Sequence, residues 1–371
     1  MTSESDLRWM QYALDIARRG QGAVEPNPLV GCVIVINDEL IAEGWHEVFG
    51  ERHAEINALS RCQGVDLTDA TLYVTLEPCA HHGKTPPCSQ AVIKSGIKRV
   101  VIGMQDPFPQ VDGQGIEELR QSGIEVVTGV AQQEAELLNA PFIMRQLNQR
   151  PWVIGKWAMT LDGKIATHTG SSQWISNDKS RAIVHQIRGR VDAVMIGHQT
   201  ALSDNPSLNA RPAGPRMAAR IVVARTPALK LDSNLVSTAN QQPLIVTAGP
   251  EADGNHLEDL RQHGVEVLRF KNNETILNEL LLELAHRNFT NVLIEGGAVL
   301  LGACLDQNLI DEAHVFIAPK MVGAETAPSP IGGEGIENMQ NALNLINQTV
   351  DIIDDDIYIS GIVSHNNSPD V

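Results

Sequence analysis

Apolar residues recur along this chain with two periods, and the switches between them mark out its elements. Leu7, Met10, Leu14 and Ala17 fall at helical spacing and predict an amphipathic helix that buries all four. Residues 31–36 and 40–45 are strand-length apolar runs around Asn37-Asp38-Glu39, which predicts a hairpin. The pattern then predicts a helix from about His53, a strand over 71–76 and a helix reaching Ser95-Gly96. Strands over 99–103 and 125–127 follow, with one closing helix over 135–147. Alternating elements of this length predict a three-layer α/β/α domain.

Near Gln149-Arg150-Pro151 the pattern restarts. Strands are expected over 152–158, 193–196, 221–223, 244–247, 265–270, 292–294, 314–317 and 357–362. Helices lie between several of them: Ile183, Ile187 and Val191 share one face, as do Ile276, Leu280 and Leu284. This predicts a second α/β domain with a larger sheet, the two domains spanning 1–148 and 151–365. No long repeat period is present, which excludes a solenoid. Residues 364–371 are polar and expected to fray.

Composition narrows the function classes. A chain of 371 residues with 43% hydrophobic content exceeds what one core organises. The balance of 28 basic against 45 acidic residues, net −17, argues against nucleic acid as a partner, because that affinity rests on Lys and Arg. It leaves room for a small anionic substrate in a locally basic pocket. Glu4 and Asp6 near the start do not fit a signal peptide, and the longest apolar run, 29–36, is too short for a bilayer. Cys32, Cys62, Cys79, Cys88 and Cys304 form no disulfide framework. The expectation is a soluble cytoplasmic protein with no membrane partner.

Two short segments carry the sharpest chemistry. His53-Ala54-Glu55 and Glu77-Pro78-Cys79, followed by Cys88, supply one imidazole and two thiolates, a ligand set that leaves a tetrahedral zinc with an open position for water. His53 and Glu55 are two apart and can converge on one metal only at a helix start. Pro78 suits a first helical turn, where the dipole would favour a Cys79 thiolate. Glu55 is then the group that shuttles the water's proton, as in the zinc deaminases. In the second half there is no G-x-G-x-x-G after a strand, so a Rossmann site is not supported. Gly296-Gly297 instead stand between a strand and a helix over 298–306, a turn at which backbone N–H groups can approach a phosphate.

The usual deaminase signature has two residues between its cysteines; here there are eight, Ala80-His81-His82-Gly83-Lys84-Thr85-Pro86-Pro87. With Pro26-Asn27-Pro28, Val30-Gly31, Met104-Gln105-Asp106-Pro107 and Gly113-Gln114-Gly115, that insert resembles the bifunctional riboflavin-biosynthesis deaminase/reductase family. The resemblance continues through the stretch from Lys156 to Ala166, Ser171-Ser172-Gln173-Trp174-Ile175-Ser176, Arg188-Gly189 and Thr200-Ala201-Leu202-Ser203-Asp204-Asn205-Pro206. It implies a cytidine-deaminase-like domain followed by a dihydrofolate-reductase-like one, with Zn2+ and NADPH as cofactors. The implied substrate is 2,5-diamino-6-(ribosylamino)pyrimidinone 5′-phosphate. An activated water attacks ring C2 with Glu55 as acid/base, ammonia leaves, and NADPH then reduces the ribosyl group to ribityl through an imine at C1′. Metal ligands are His53, Cys79 and Cys88; Asn27, His46, His81 and Lys84 contact the first substrate. Ser172, Arg188, Leu208, Arg211 and Glu295 contact the second, Arg188 and Arg211 giving the basic pocket. NADPH falls to Ala158, Trp174, Thr200, Asp204, Gly297, Ala298, Val299, Leu300, Leu301, Gly302 and Ala303. The family also implies self-association through the reductase domain. One departure is Ala224-Arg225, where a small polar residue after an acidic one is usual; Arg225 is expected to meet the cofactor's 2′-phosphate.

Overall fold

In the computed structural model, which describes residues 3–80, 87–107 and 113–365, the chain opens with α1 (Glu4–Ala17) under a capping box between Ser3 and Asp6. Met10, Leu14 and Ala17 are buried, but Leu7 is half exposed. Asp6 takes the first place on the buried stripe instead, because Arg99 and Tyr73 both hydrogen-bond its carboxylate. β1 (Gly31–Ile36) and β2 (Glu39–Trp45) pair antiparallel with Ile36 opposite Glu39. The two residues of the turn, Asn37 and Asp38, have φ of 51° and 66°, the left-handed backbone that a two-residue hairpin needs.

The rest of this unit is α2 (Ala54–Ser60), β3 (Thr71–Leu76), α3 (Cys88–Lys94), β4 (Arg99–Met104), α4 (Gln114–Gln121), β5 (Glu125–Thr128), α5 (Gln132–Leu138) and α6 (Ala140–Asn148). The single helix expected over 135–147 is thus two. Pro141 has no N–H to continue the ladder, and at the break Asn139 clamps Leu29: Oδ1 accepts the Leu29 N–H at 2.8 Å while Nδ2 donates to its carbonyl at 3.0 Å. The sheet runs β2-β1-β3-β4-β5, antiparallel at the β2 end and parallel from β3 onward. α1 and α5 cover one face around Met10, Leu14, Tyr73 and Val101; α2, α3 and α4 cover the other around Ala58, Val92, Ile116 and Leu119. Gly44 lets α2 press onto β2, since a Cβ there would lie 2.4 Å from the Ala58 nitrogen.

A second unit begins at Arg150. It comprises β6 (Trp152–Thr160), α7 (Asp178–Arg188), β7 (Ala193–Gly197), α8 (His198–Asp204), β8 (Ala219–Val223), α9 (Asn234–Ser237), β9 (Leu244–Ala248), α10 (Gly254–Gln262), β10 (Glu266–Arg269), α11 (Ile276–His286), β11 (Asn291–Glu295), α12 (Ala298–Asp306), β12 (Glu312–Ala318), β13 (Asn344–Ile353) and β14 (Asp356–Ser364). Its nine strands run β10-β9-β8-β7-β11-β6-β12-β14-β13, with every pairing parallel except the last two, in which β14 runs antiparallel to both β12 and β13. Ile276, Leu280 and Leu284 bury together, as their spacing predicted. Val191 is buried too, but in the turn beyond α7 rather than on it. β13 went unforeseen because an edge strand solvated along most of its length carries Asn344, Asn347, Gln348 and Asp351 without an apolar run. β14 continues to Ser364, so that residue closes a strand instead of fraying; 366–371 lie outside the described residues. Among the described residues no helix is long and apolar enough to cross a membrane.

Candidate active sites

His53 caps α2 with extended backbone (φ −72°, ψ 164°), so its ring and the Glu55 side chain, on the helix's first turn, share the open end. Cys79 lies in the segment after β3, and the helix starts nine residues later, with Cys88 as its first residue. The dipole expected to act on Cys79 directly therefore reaches it through the Cys88 N–H, which donates to the Cys79 sulfur at 3.4 Å. His53 Nδ1 stands 3.6 Å from the Cys79 sulfur and 3.3 Å from the Cys88 sulfur, and all three donor atoms fall within 4.8 Å of one another. Donors on a tetrahedral zinc, at ~2.0–2.3 Å from the ion, are separated by ~3.5 Å, so these side chains fit zinc without rearrangement. Among the described residues no other His, Cys, Asp or Glu group has such a geometry.

The sulfurs are tuned apart. Their mutual hydrogen bond draws the Cys79 thiol well below the usual range and pushes Cys88 up. A divalent cation favours the thiolate form of both. Glu55 is 3% exposed, and burial pushes its carboxyl up to about 7 against the pull of His53. A carboxyl poised there can take and return a proton near neutrality. His46, also buried, packs edge-on to His53 at 5.5 Å between ring centres. Its Nδ1 faces the Arg52 carbonyl at 3.1 Å, which makes Nδ1 the donor and leaves Nε2 to accept from Asn27 Nδ2 at 3.1 Å. Asn27 and His46 are therefore brought together beside the metal ligands. His81 and Lys84 lie outside the described residues.

The second unit holds a cavity of about 1520 Å³ at the carboxyl ends of β7, β8 and β11, where open parallel sheets bind ligands. Its size exceeds the usual ~300–1,000 Å³ of a single-ligand pocket. Ala158, Ser172, Trp174, Arg188, Thr200, Asp204, Leu208, Arg211, Arg225 and Glu295 all line it, as do Gly297, Ala298, Val299, Leu300 and Ala303. Leu301 and Gly302 do not, because helical rotation turns them inward. Leu301 is fully buried in the core, and a Cβ on Gly302 would strike Gly332 at 2.3 Å. Gly296 and Gly297 have φ of 72° and 87°, and a Cβ on Gly297 would sit 2.9 Å from the Thr200 hydroxyl. The turn thus stays open ahead of α12 only with glycine.

Directly before that turn, Arg188 grips Glu295 bidentately, Nε to Oε1 and Nη2 to Oε2, while Lys156 Nζ lies 3.8 Å from Oε2. Burial pushes the Glu295 carboxyl up, but Arg188 outweighs it and the carboxyl sits below its ordinary value. Burial pulls the Lys156 amine down. Arg188 is thus an ion-paired group, and two cations share the one carboxylate in this corner. The family resemblance implies no role for Lys156. A lysine within the otherwise apolar run 152–158 was the available signal.

Residues 151–359 match the RibD C-terminal domain, and residues 3–104 the cytidine and deoxycytidylate deaminase zinc-binding region. The chain is 43% identical to riboflavin biosynthesis protein RibD of Actinobacillus pleuropneumoniae over 361 residues, 97% of this chain and 96% of that one. It is 40% identical to the RibD of Synechocystis sp. over 98% and 97% of the two chains. A crystal structure of a diaminohydroxyphosphoribosylaminopyrimidine deaminase/5-amino-6-(5-phosphoribosylamino)uracil reductase from Thermotoga maritima superposes with a TM-score of 0.83 at 36% identity, covering 97% and 99%. Acinetobacter baumannii RibD superposes with 0.85 at 34% identity, covering 98% and 99%.

Proposed function

The chain belongs to the RibD family of bifunctional riboflavin-biosynthesis enzymes, and from that premise we propose how its residues divide two consecutive reactions, with the deaminase spanning 1–148 and the reductase 151–365. The chain is a zinc-dependent deaminase and an NADPH-dependent reductase. The first reaction replaces the ring C2 amine of 2,5-diamino-6-(ribosylamino)pyrimidinone 5′-phosphate by oxygen. The second reduces the ribosyl group to ribityl. The observation that carries the first is the His53–Cys79–Cys88 triad with Glu55 buried beside it.

Zinc held there supplies an acidified water. Glu55 removes the proton of the attacking water and returns it to the ring and to the departing amine, which leaves as ammonia. Asn27 and His46 orient the ring, and Lys84 and His81 complete the substrate contacts. In the second unit a bound NADPH would supply the hydride that the ring-opened imine needs at C1′. The Gly296-Gly297 turn and α12 receive the cofactor's phosphates, flanked by Thr200, Asp204, Ala158 and Trp174. Ser172, Arg188, Leu208, Arg211 and Glu295 hold the substrate. Lys156, its amine pulled down by burial and set beside Glu295, is the source of the proton that the imine nitrogen needs as hydride arrives.

The decisive experiment supplies the diaminopyrimidine ribotide with and without NADPH and follows products by mass. Ammonia loss without NADPH, then a gain of two hydrogens with it, is expected. Reduction in the absence of deamination, or no reaction, would overturn the assignment.

Arg225 lines the cavity just after β8 and is exposed, a position suited to the cofactor's 2′-phosphate. Arg225→Ala should lower the NADPH-over-NADH ratio of kcat/KM by about 10-fold, the value of one lost charge-assisted contact; an unchanged ratio sinks the role. Self-association through the reductase is supported by β13, an edge strand that exposes Ile346, Val350 and Ile352. Sedimentation should give more than the monomer mass of 40.3 kDa, and a monomer at micromolar concentration would refute it. Cys32, Cys62 and Cys304, buried outside the metal site and in no disulfide, support a cytoplasmic location.

A further inference from the structure

When only two residues separate a pair of thiolate ligands, local chain geometry sets their separation. Here eight residues intervene between Cys79 and Cys88, and that geometric restraint is lost. α4 contacts the segments on both sides of the gap. Glu77, 3% exposed, sends both carboxylate oxygens into the start of that helix. Oε1 accepts from the N–H groups of Gly115 and Ile116 at 2.9 and 3.2 Å, and Oε2 from those of Gly113 and Asp106 at 3.0 and 3.2 Å. Pro78 is pressed so closely onto the same turn that a Cβ on Gly115 would lie 1.9 Å from its carbonyl oxygen. The two residues before Cys79 are therefore seated on the first turn of α4, where a carboxylate also meets the helix's positive end.

One turn further along, the same helix holds the other ligand. Glu118 Oε2 accepts from the Ser89 hydroxyl at 2.6 Å and from Gln90 Nε2 at 3.1 Å, and these residues follow Cys88 directly. Ser89 is fully buried, and its N–H donates to the Cys79 carbonyl at 3.2 Å. We propose that α4 is a brace that sets the spacing of the two zinc thiolates across the insert, with Glu77 and Glu118 as positioning residues. The proposal rests on the zinc deaminase reading above.

Zinc release is the readout, measured on the full-length zinc-loaded enzyme as the rate of transfer to a coloured chelator. Glu118→Ala should release zinc about 10-fold faster, the usual order of effect for a group that orients a ligand. Glu118→Gln, which keeps an acceptor oxygen for Ser89 and Gln90, should restore a rate near that of the unaltered enzyme. Ser89→Ala, which leaves α4 itself unaltered, should fall between the two, and it carries the test if Glu118→Ala does not fold. Gln121→Ala, on the exposed side of α4, should not change the rate. Wild-type release from both Glu118→Ala and Ser89→Ala would overturn the brace, as would equal acceleration by Gln121→Ala. An unaltered enzyme that purifies and reconstitutes without stoichiometric zinc would overturn the deaminase reading itself, a different failure.

Discussion

Glu55→Gln should lower the deamination rate by about 10²–10⁴-fold, the range that a positioned acid/base supplies, while zinc content and reductase activity stay at the unaltered level. The amide matches the carboxyl in shape and fits the same buried space at the start of α2, so packing around Ala54 and Ala58 is preserved. What it cannot do is take a proton from water and return it to the leaving amine. Because Glu55 is not among the three donor atoms, zinc should remain stoichiometric by elemental analysis. Supplying the already deaminated ribotide should restore full NADPH consumption. Ammonia release within a few-fold of the unaltered rate would remove Glu55 from the mechanism; loss of zinc would move it into the ligand set.

Glu295→Ala should abolish most reduction, by about 100-fold or more, and leave deamination intact, so that the deaminated ribotide accumulates. The same change strands Arg188 and Lys156 in the cavity wall without their shared carboxylate. Breaking a buried ion pair on one side costs about 3–5 kcal/mol, which a lowered urea midpoint for the second unit would register. The pH dependence has a definite sign. Since the folded-state carboxyl lies below its ordinary value, its contribution is present above the unfolded carboxyl pKa of about 4.3 and is lost as pH falls through the folded value. The stability gap between Glu295→Gln and the unaltered protein should therefore narrow on acidification. A gap that widens, or reduction that persists in Glu295→Ala, would refute the assignment.

Much of this is legible in the sequence. His53, Glu55, Cys79 and Cys88 carry their chemistry in their side chains, and a spacing of two can serve one metal only at a helix start, so residue types and order were enough to name the reaction. The strands of the second unit were readable for a similar reason: parallel strands buried on both faces are unbroken apolar runs. β13, polar and solvated at the sheet edge, gave no such run, and the helix broken at Asn139 depends on Leu29, 110 residues away.

Pairings between distant residues were decided by tertiary structure alone. Arg188 and Glu295 stand 107 residues apart, and only the fold joins them into one ion pair. Leu301 and Gly302 sat inside a run assigned to the cofactor, and only the rotation of α12 against the core sent them inward. Glu118 had no signal at all, since its partners lie 28 and 29 residues back in the chain. Sequence determined which groups can do chemistry and which segments can form strands and helices, because these depend on side-chain type and local period. Folding decided which groups meet, how deeply each is buried and so where its proton sits, because burial and Coulomb partners come from chain segments far apart in sequence.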